Sequence, residues 1–337
     1  VLLTYKIRHT YNFSDELSKA KQVAQFAIDN RVLSTKYVKH IGLKSVIANQ
    51  ILRKYSRNKK AKRANKVKLT IPQQGIKQDG TQIKIPSLNV SFDMWSHFGA
   101  VRQIEVDNNF FYVTCQRDEQ DTMTSSEYIG IDRNTTKHVV VAALPNGKVL
   151  KLGKQAPHIH QKYKNIRKKL QSNGKFKALK KIKNRESRII RDINHKISKK
   201  IVDIAFDFKY GIRLEELKGI RNNKSKKYSK AFNYNLHSWS YYQLQQFIGY
   251  KAKLRGVIVG YINPHYTSQL CSRCGSLGER VLKSFKCLNP KCKHIDHADV
   301  NASFNISKGQ FGIERDMSKG TTGSPKVAIV VASNGNS

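Results

Sequence analysis

Residues 127–152 read EYIGIDRNTTKHVVVAALPNGKVLKL, and this stretch decides the fold. Tyr128–Asp132, His138–Leu144 and Lys148–Leu152 are short apolar runs separated by Arg133–Lys137 and by the turn Pro145–Gly147, which reads as three strands. Helical spacing follows. Ile159, Tyr163, Ile166 and Leu170 form one stripe, and Leu179, Ile182, Ile189, Ile193, Ile197 and Ile204 continue another after Ser172-Asn173-Gly174. Tyr210–Leu217 reads as a further strand, Trp239–Leu254 as a helix stopped by Gly256, and Val257–Ile262 as the strand after it. Strands, then helices, then strand, helix and strand again is the order of an α/β unit.

Upstream the pattern differs. Val1–His9 alternates as a strand, and a helical region follows, with Ser14 as its expected N-cap and Leu17, Ala20, Ala24, Ala27 and Ile28 on one face. Leu43, Ile47, Ile51 and Tyr55 give a second helix, which ends in the basic run Arg57, Lys59, Lys60, Lys62 and Arg63. From Lys66 to about Gln120 the period becomes two, punctuated by Gly75, Gly80, Pro86 and Gly99. A strand, a helical excursion and then several strands suggest a β-barrel interrupted by helices, although periodicity alone does not join the first strand to the later ones. Lys218–Lys230 reads as a mobile basic linker, and 309–337, rich in Gly, Ser, Thr and Lys, as a disordered tail.

A length of 337 residues supports two or three compact units. Lys and Arg total 63 against 23 acidic residues, a net charge of +40, and self-repulsion of that size points to a polyanionic partner, nucleic acid before a membrane surface. No stretch approaches the roughly 20 apolar residues of a membrane span, and the N-terminus lacks the apolar core of a secretory signal, so an intracellular, nucleoid-associated location is expected.

Four of the five cysteines lie close together: Cys271-Ser272-Arg273-Cys274, twelve residues, then Cys287-Leu288-Asn289-Pro290-Lys291-Cys292. Two such pairs brought together by knuckle turns, for which Gly275 and Pro290 are suited, form one tetrahedral site for a structural Zn²⁺, with His294 as a rival ligand. Four thiolates leave no open position for water, so the ion would not be catalytic. Cys115 stands alone in an alternating run and reads as a buried strand residue.

A second constellation is acidic. Asp132 ends the first α/β strand, Glu215 and Glu216 lie on a later one, and Asp299 falls in Asp296-His297-Ala298-Asp299-Val300-Asn301-Ala302. Carboxylates beside apolar strand residues in so basic a chain suit a shared site for hard divalent cations that activate water against phosphate. Asp296 reads as a helix N-cap, with Ala302 and Ser303 small enough to let that helix approach a sheet. Strand alternation puts Glu215 and Glu216 on opposite faces, so one of them faces such a site; alternation does not say which.

Gly130-Ile131-Asp132, Leu214-Glu215-Glu216-Leu217-Lys218, Tyr250-Lys251-Ala252, Tyr266-Thr267-Ser268-Gln269-Leu270-Cys271-Ser272-Arg273-Cys274-Gly275 and Ala298-Asp299-Val300-Asn301-Ala302-Ser303-Phe304-Asn305-Ile306 resemble the RuvC motifs and zinc module of the TnpB family, relatives of the type V CRISPR effectors. The resemblance covers 127–306. It implies an α+β multidomain protein. An RNase H-like (RuvC) α/β nuclease core (126–263 and 296–308) would carry an inserted four-cysteine zinc ribbon (264–295). A wedge-type β-barrel (1–10 and 66–125) with a helical recognition insertion (11–65) would precede it. It implies Asp132, Glu215 and Asp299 as the catalytic triad, two Mg²⁺ ions (or Mn²⁺) on those residues, and one structural Zn²⁺. The implied partners are a guide RNA from the transposon end and double- and single-stranded target DNA cut beside a short adjacent motif. Two alternatives are a nuclease-inactive, RNA-guided DNA-binding regulator and a DNA-binding accessory protein of transposition.

Overall fold

The computed structural model describes residues 1–95, 97–134, 137–217 and 240–309. The linker Lys218–Lys230 and the tail from Gln310 onward lie outside them. The chain divides into two compact units at Glu119/Gln120.

The first unit runs β1 (Leu2–Arg8), α1 (Ser14–Asn30), α2 (Ser45–Ser56), β2 (Leu69–Pro72), β3 (Lys77–Asp79), β4 (Gln82–Ile85), β5 (Val90–Asp93), β6 (Ala100–Val106) and β7 (Phe110–Gln116). The first strand does join the later ones: β1 pairs antiparallel with β7, Tyr5 opposite Val113, in a sheet of order β1-β7-β6-β2. The remaining strands form a separate sheet, β3-β4-β5, and no strand pairing links the two sheets among the described residues. Alternation sends Ile104, Val106, Phe111, Val113 and Cys115 into a core shared with Ile47, Ile51 and Leu52 of α2 and Ala20, Val23, Ala24 and Ala27 of α1. Each buried Ile or Leu there contributes about 1.5–3 kcal/mol. Cys115 is fully buried as expected, and burial pushes its thiol up to about 11. Ser14 is not the cap of α1 but its first residue; the Asn12 carboxamide oxygen accepts from both the Ser14 backbone N–H and its hydroxyl. An Asx turn at Asn12, two residues upstream, leads the chain into the helix, and the cap position, Phe13, makes no side-chain capping bond.

The second unit contains β8 (Tyr128–Arg133), β9 (Val140–Ala143), β10 (Val149–Leu152), α3 (Gln155–Ser172), α4 (Phe176–Ile182), α5 (Arg185–Asp207), β11 (Gly211–Glu215), α6 (Tyr241–Arg255), β12 (Val259–Ile262), β13 (Gly278–Val281), β14 (Ser284–Cys287), β15 (Ile295–His297) and α7 (Ala298–Lys308). The helical stripe expected to run unbroken from Leu179 to Ile204 is divided at Lys183–Asn184 into α4 and α5. Five strands form one mixed sheet, β10-β9-β8-β11-β12, in which β8, β11 and β12 are parallel and β9 alone runs against the rest, pairing antiparallel with both β8 and β10. Parallel neighbours need crossover connections, which is why helices separate β10 from β11 and β11 from β12. Gly256 in the left-handed region (φ 67°) ends α6, as its position suggested.

On this sheet α7 packs against β8 at unusually close range. A Cβ placed on Gly130 would lie 2.0 Å from the Ser303 carbonyl oxygen and 2.3 Å from the Ser307 nitrogen, so only glycine fits there. Ala302 and Ser303, both buried, complete the small-residue contact. The consequence is positional: Asp132, two residues along β8, is brought beside the N-terminus of α7.

Candidate active site and metal centre

Asp132 near the end of β8, Glu215 at the end of β11 and Asp299 in the first turn of α7 come from three elements and sit close enough to repel one another. Burial, then the charges of Glu215 and Asp299, raise the Asp132 carboxyl to about 7, against a hydrogen bond from Asn134 (2.9 Å) and the charge of Arg280. Burial likewise raises Glu215, opposed by a hydrogen bond from the Thr267 hydroxyl and by Arg133 and Arg280. Glu215, not Glu216, is thus the member of the pair beside Asp132; Glu216 is exposed just past the strand, its N–H donating to the Ile262 carbonyl at 2.8 Å.

Asp299 is 5% exposed at its side chain and carries the counter-charges of the site. The Lys283 ammonium donates to its two oxygens at 2.9 and 2.6 Å, and Arg280 reaches Oδ1 at 3.2 Å. The cap of α7 differs from expectation: it is His297, whose Nδ1 accepts from the Asp299 N–H at 3.3 Å, while Asp296 accepts from the His297 N–H at 2.6 Å. The reason is geometric, since Asp296 lies in β15, one residue too early to reach the first turn. Burial lowers His297, which suits an imidazole that accepts a hydrogen bond. Lys137, Lys151 and Lys154 act on His138 together with Asp299, so these lysines lie on the Asp299 side of the site.

Several residues of the site are not marked out by sequence reasoning. Arg133 is buried and donates to the Glu215 backbone carbonyl and to Gln245 Oε1 (2.9 Å), tying β8, β11 and α6 together. Asn134, Thr267, Arg280, Lys283 and His297 each hold one of the three carboxylates or the helix that carries it. Thr267 and His297 stand inside the motifs quoted above, and Arg133 and Asn134 follow Asp132 directly; nothing in the local sequence marks Arg280 or Lys283.

The four thiols of Cys271, Cys274, Cys287 and Cys292 all lie within 4.8 Å of one another. The Cys271–Cys292 and Cys274–Cys287 sulfur separations are 3.8 and 3.5 Å. A tetrahedral ion with metal–sulfur bonds of about 2.3 Å spaces its sulfurs about 3.8 Å apart, so the set is shaped for a thiolate-bound metal. Against burial, hydrogen bonds from Ser276 lower the Cys274 thiol to about 6. The Asn289 N–H points at Cys287 Sγ (3.4 Å), and Gly275 takes the left-handed turn (φ 76°) that closes the first knuckle. His294 is buried but is not part of the cluster. This module is fastened to the site: Asn301 of α7 donates to the Leu270 carbonyl (2.7 Å) and accepts from the Ser272 N–H (2.8 Å), and Asn305 donates to the Thr267 and Leu270 carbonyls.

Residues 241–306 match the family model Cas12f1-like, TNB domain, a span running from α6 through the thiol cluster to α7. Over 160 residues the chain is 39% identical to a TnpB-like protein of Methanocaldococcus jannaschii, covering 44% of this chain and 55% of that one. Over 122 residues it is 36% identical to the CRISPR-associated endodeoxyribonuclease Cas12f2 of a Micrarchaeota archaeon, covering 34% of this chain and 22% of the relative. The matched stretches thus span about half the length of the first relative and less of the second. The fold is that of the protein in a cryo-EM structure of a Cas12f1–sgRNA–target DNA complex, with a TM-score of 0.59 at 16% identity over 88% of this chain and 82% of that one. The family-model match takes in the thiol cluster and Asp299, and over part of its length the chain is similar to TnpB-like and Cas12f proteins.

Proposed function

We propose that the chain is a transposon-encoded, RNA-guided DNA endonuclease that hydrolyses target phosphodiesters at a RuvC-type site made of Asp132, Glu215 and Asp299. The observation that carries the reading is the meeting of three carboxylates from β8, β11 and α7, one of them raised to about 7 by burial and its neighbours, inside a chain of net charge +40. Carboxylates crowded in this way offer all-oxygen donors that fit hard divalent ions, and Lys283 and Arg280 pair only with Asp299 among the three. Asp132, Glu215 and Asp299 would hold Mg²⁺, two ions or Mn²⁺ in their place, and such ions supply water activation and neutralise charge building on the phosphate.

The protein's own contribution is orientation. Asn134 fixes the Asp132 carboxylate and Thr267 that of Glu215, while His297 caps the helix that presents Asp299. Lys137, Lys151 and Lys154 draw the DNA backbone towards the acids. The thiol cluster would hold one structural Zn²⁺, fastening the 264–295 module to α7. In this reading the first unit serves as the wedge with its helical insertion at 11–65, and the partners are a guide RNA from the transposon end and DNA, double-stranded before unwinding and single-stranded when cut, inside the cell. Base pairing then reads sequence while the basic protein holds backbones and the A-form heteroduplex. The relatives' names, an endodeoxyribonuclease and a protein bound to sgRNA and target DNA, support this assignment.

A nuclease-inactive regulator or a DNA-binding accessory of transposition would have no use for the three coupled acids. The test is to purify the protein with its RNA, sequence that RNA, and challenge the complex with matched DNA and Mg²⁺. Guide-dependent cutting that is lost in Asp132→Ala supports the proposal; RNA-free protein that cuts equally well without a guide overturns it.

A further inference from the structure

The tip of the β13–β14 hairpin lies on the carboxylate site. Val281 pairs with Ser284, so Leu282 and Lys283 form a two-residue turn, and Leu282 points outward at 88% exposure. Lys283 turns inward. Its carbonyl accepts from the N–H of Ala298, the first residue of α7, at 2.8 Å, and its ammonium spans both oxygens of Asp299. The same ammonium donates to Asn134 Oδ1 at 3.4 Å, and the Asn134 amide donates to Asp132 Oδ2. One cation therefore serves Asp299 directly and Asp132 through a single side chain, with Arg280 adding a second charge on Asp299.

A buried carboxylate without a counter-charge is strongly unfavourable, so these contacts stabilise the site in its present state. A carboxylate has only two oxygens, and an ammonium donating to both takes up lone pairs a divalent ion would need. The two cations therefore compete. The swing required is local, because the Lys283 backbone stays tied to Ala298 whichever way its side chain points, and both Lys283 and Arg280 are partly open to solvent.

We propose that Lys283, assisted by Arg280, is a built-in counter-ion that holds Asp299 until a divalent cation displaces it, so that the thiol-cluster hairpin sets the metal affinity of the carboxylate site. This rests on the reading of Asp132, Glu215 and Asp299 as a cation site. Lys283 acts here as a positioning residue, and the coupling is reciprocal: whatever draws its ammonium away, such as a DNA phosphate, tightens metal binding by the factor by which metal promotes its release.

The experiment is a Mn²⁺ titration of the full, zinc-loaded chain followed by electron paramagnetic resonance, comparing wild type with Lys283→Met, Lys283→Arg, Arg280→Met and Asp132→Ala. Lys283→Met keeps the backbone bond to Ala298 and is expected to bind Mn²⁺ roughly tenfold more tightly, within the range usual for coupled sites. Lys283→Arg should stay near wild type, and Arg280→Met should show a smaller gain. Without Mn²⁺, Lys283→Met should melt below wild type, and its gain in Tm on adding Mn²⁺ should exceed that of wild type; unchanged zinc content shows that the module is intact. Equal or weaker Mn²⁺ binding by Lys283→Met, with binding still lost in Asp132→Ala, overturns the counter-ion role and leaves the metal site standing. Absence of Mn²⁺ binding in all the proteins overturns the metal reading itself, and this inference with it.

Discussion

Replacing Asp132 by Asn should stabilise the protein when divalent ions are absent, although it removes a residue proposed to be essential. The Asp132 carboxyl rises from an ordinary 3.8 to about 7 in the fold. That rise corresponds to roughly 4 kcal/mol of destabilisation once the group is ionised. The sign follows from linkage: with a folded value above the unfolded one, the stability associated with Asp132 is fully present below about pH 4 and is lost as pH rises through about 7. Asn has nearly the same shape and no charge to lose. Allowing for solvent screening and a weaker bond from Asn134, the gain at pH 8.5 should be about 2 kcal/mol, or roughly 4–8 °C in the Tm of a unit of this size. Thermal unfolding of zinc-loaded protein in Mg²⁺-free buffer, from pH 4 to pH 8.5, measures it. The two proteins should melt together at pH 4 and diverge as the pH rises, and saturating Mg²⁺ should reverse the order because only wild type then gains a ligand. An Asn variant no more stable than wild type at pH 8.5, or a difference that persists at pH 4, would refute the account of Asp132 as a carboxyl raised by burial and by its acidic neighbours.

Asp132→Ala, Glu215→Ala and Asp299→Ala should each reduce Mg²⁺-dependent cleavage to background while leaving guide and target binding within a few fold, and double variants should be scarcely worse than singles, as timed cleavage and gel-shift assays would show. Glu216→Ala and Asp296→Ala should retain most activity in the same assay; loss in Glu216→Ala with retention in Glu215→Ala would reverse the strand register. Purified protein should contain about one Zn²⁺, and Cys271→Ser or Cys287→Ser should abolish it and raise hydrogen exchange across the 264–306 region more than in the first unit. His297→Ala, which deletes the cap of α7, should cost about 1 kcal/mol in denaturant unfolding, with Asp296→Ala closer to neutral. RNA affinity should fall steeply from 50 to 200 mM salt, and a flat salt profile would contradict backbone binding driven by +40 charge.

Much of this protein is local and therefore readable along the chain. The strands at Tyr128–Arg133 and Val140–Ala143, the paired cysteines and the switch of period near Lys66 follow from side-chain spacing, which the backbone geometry of helices and strands imposes residue by residue. Composition determined the charge, and with it the class of partner to expect. What sequence could not settle is whatever depends on contacts between distant segments. Which of Glu215 and Glu216 lies beside Asp132 depended on the pairing of β11 with β8 and on the Arg133 and Thr267 contacts. The cap of α7 depended on β15 ending at His297, one residue later than the acid that local preference favoured. Lys283 lies 149 residues from Asn134 and 16 from Asp299, in one of many basic stretches, and no spacing rule distinguishes it from its neighbours. Its place on the acids exists only because Gly130 lets α7 lie against β8, and because the hairpin carrying Cys287 is folded back onto that helix. Sequence supplied the kinds of group available; tertiary structure decided which opposite charges meet, because burial and distance, not order along the chain, govern their interaction.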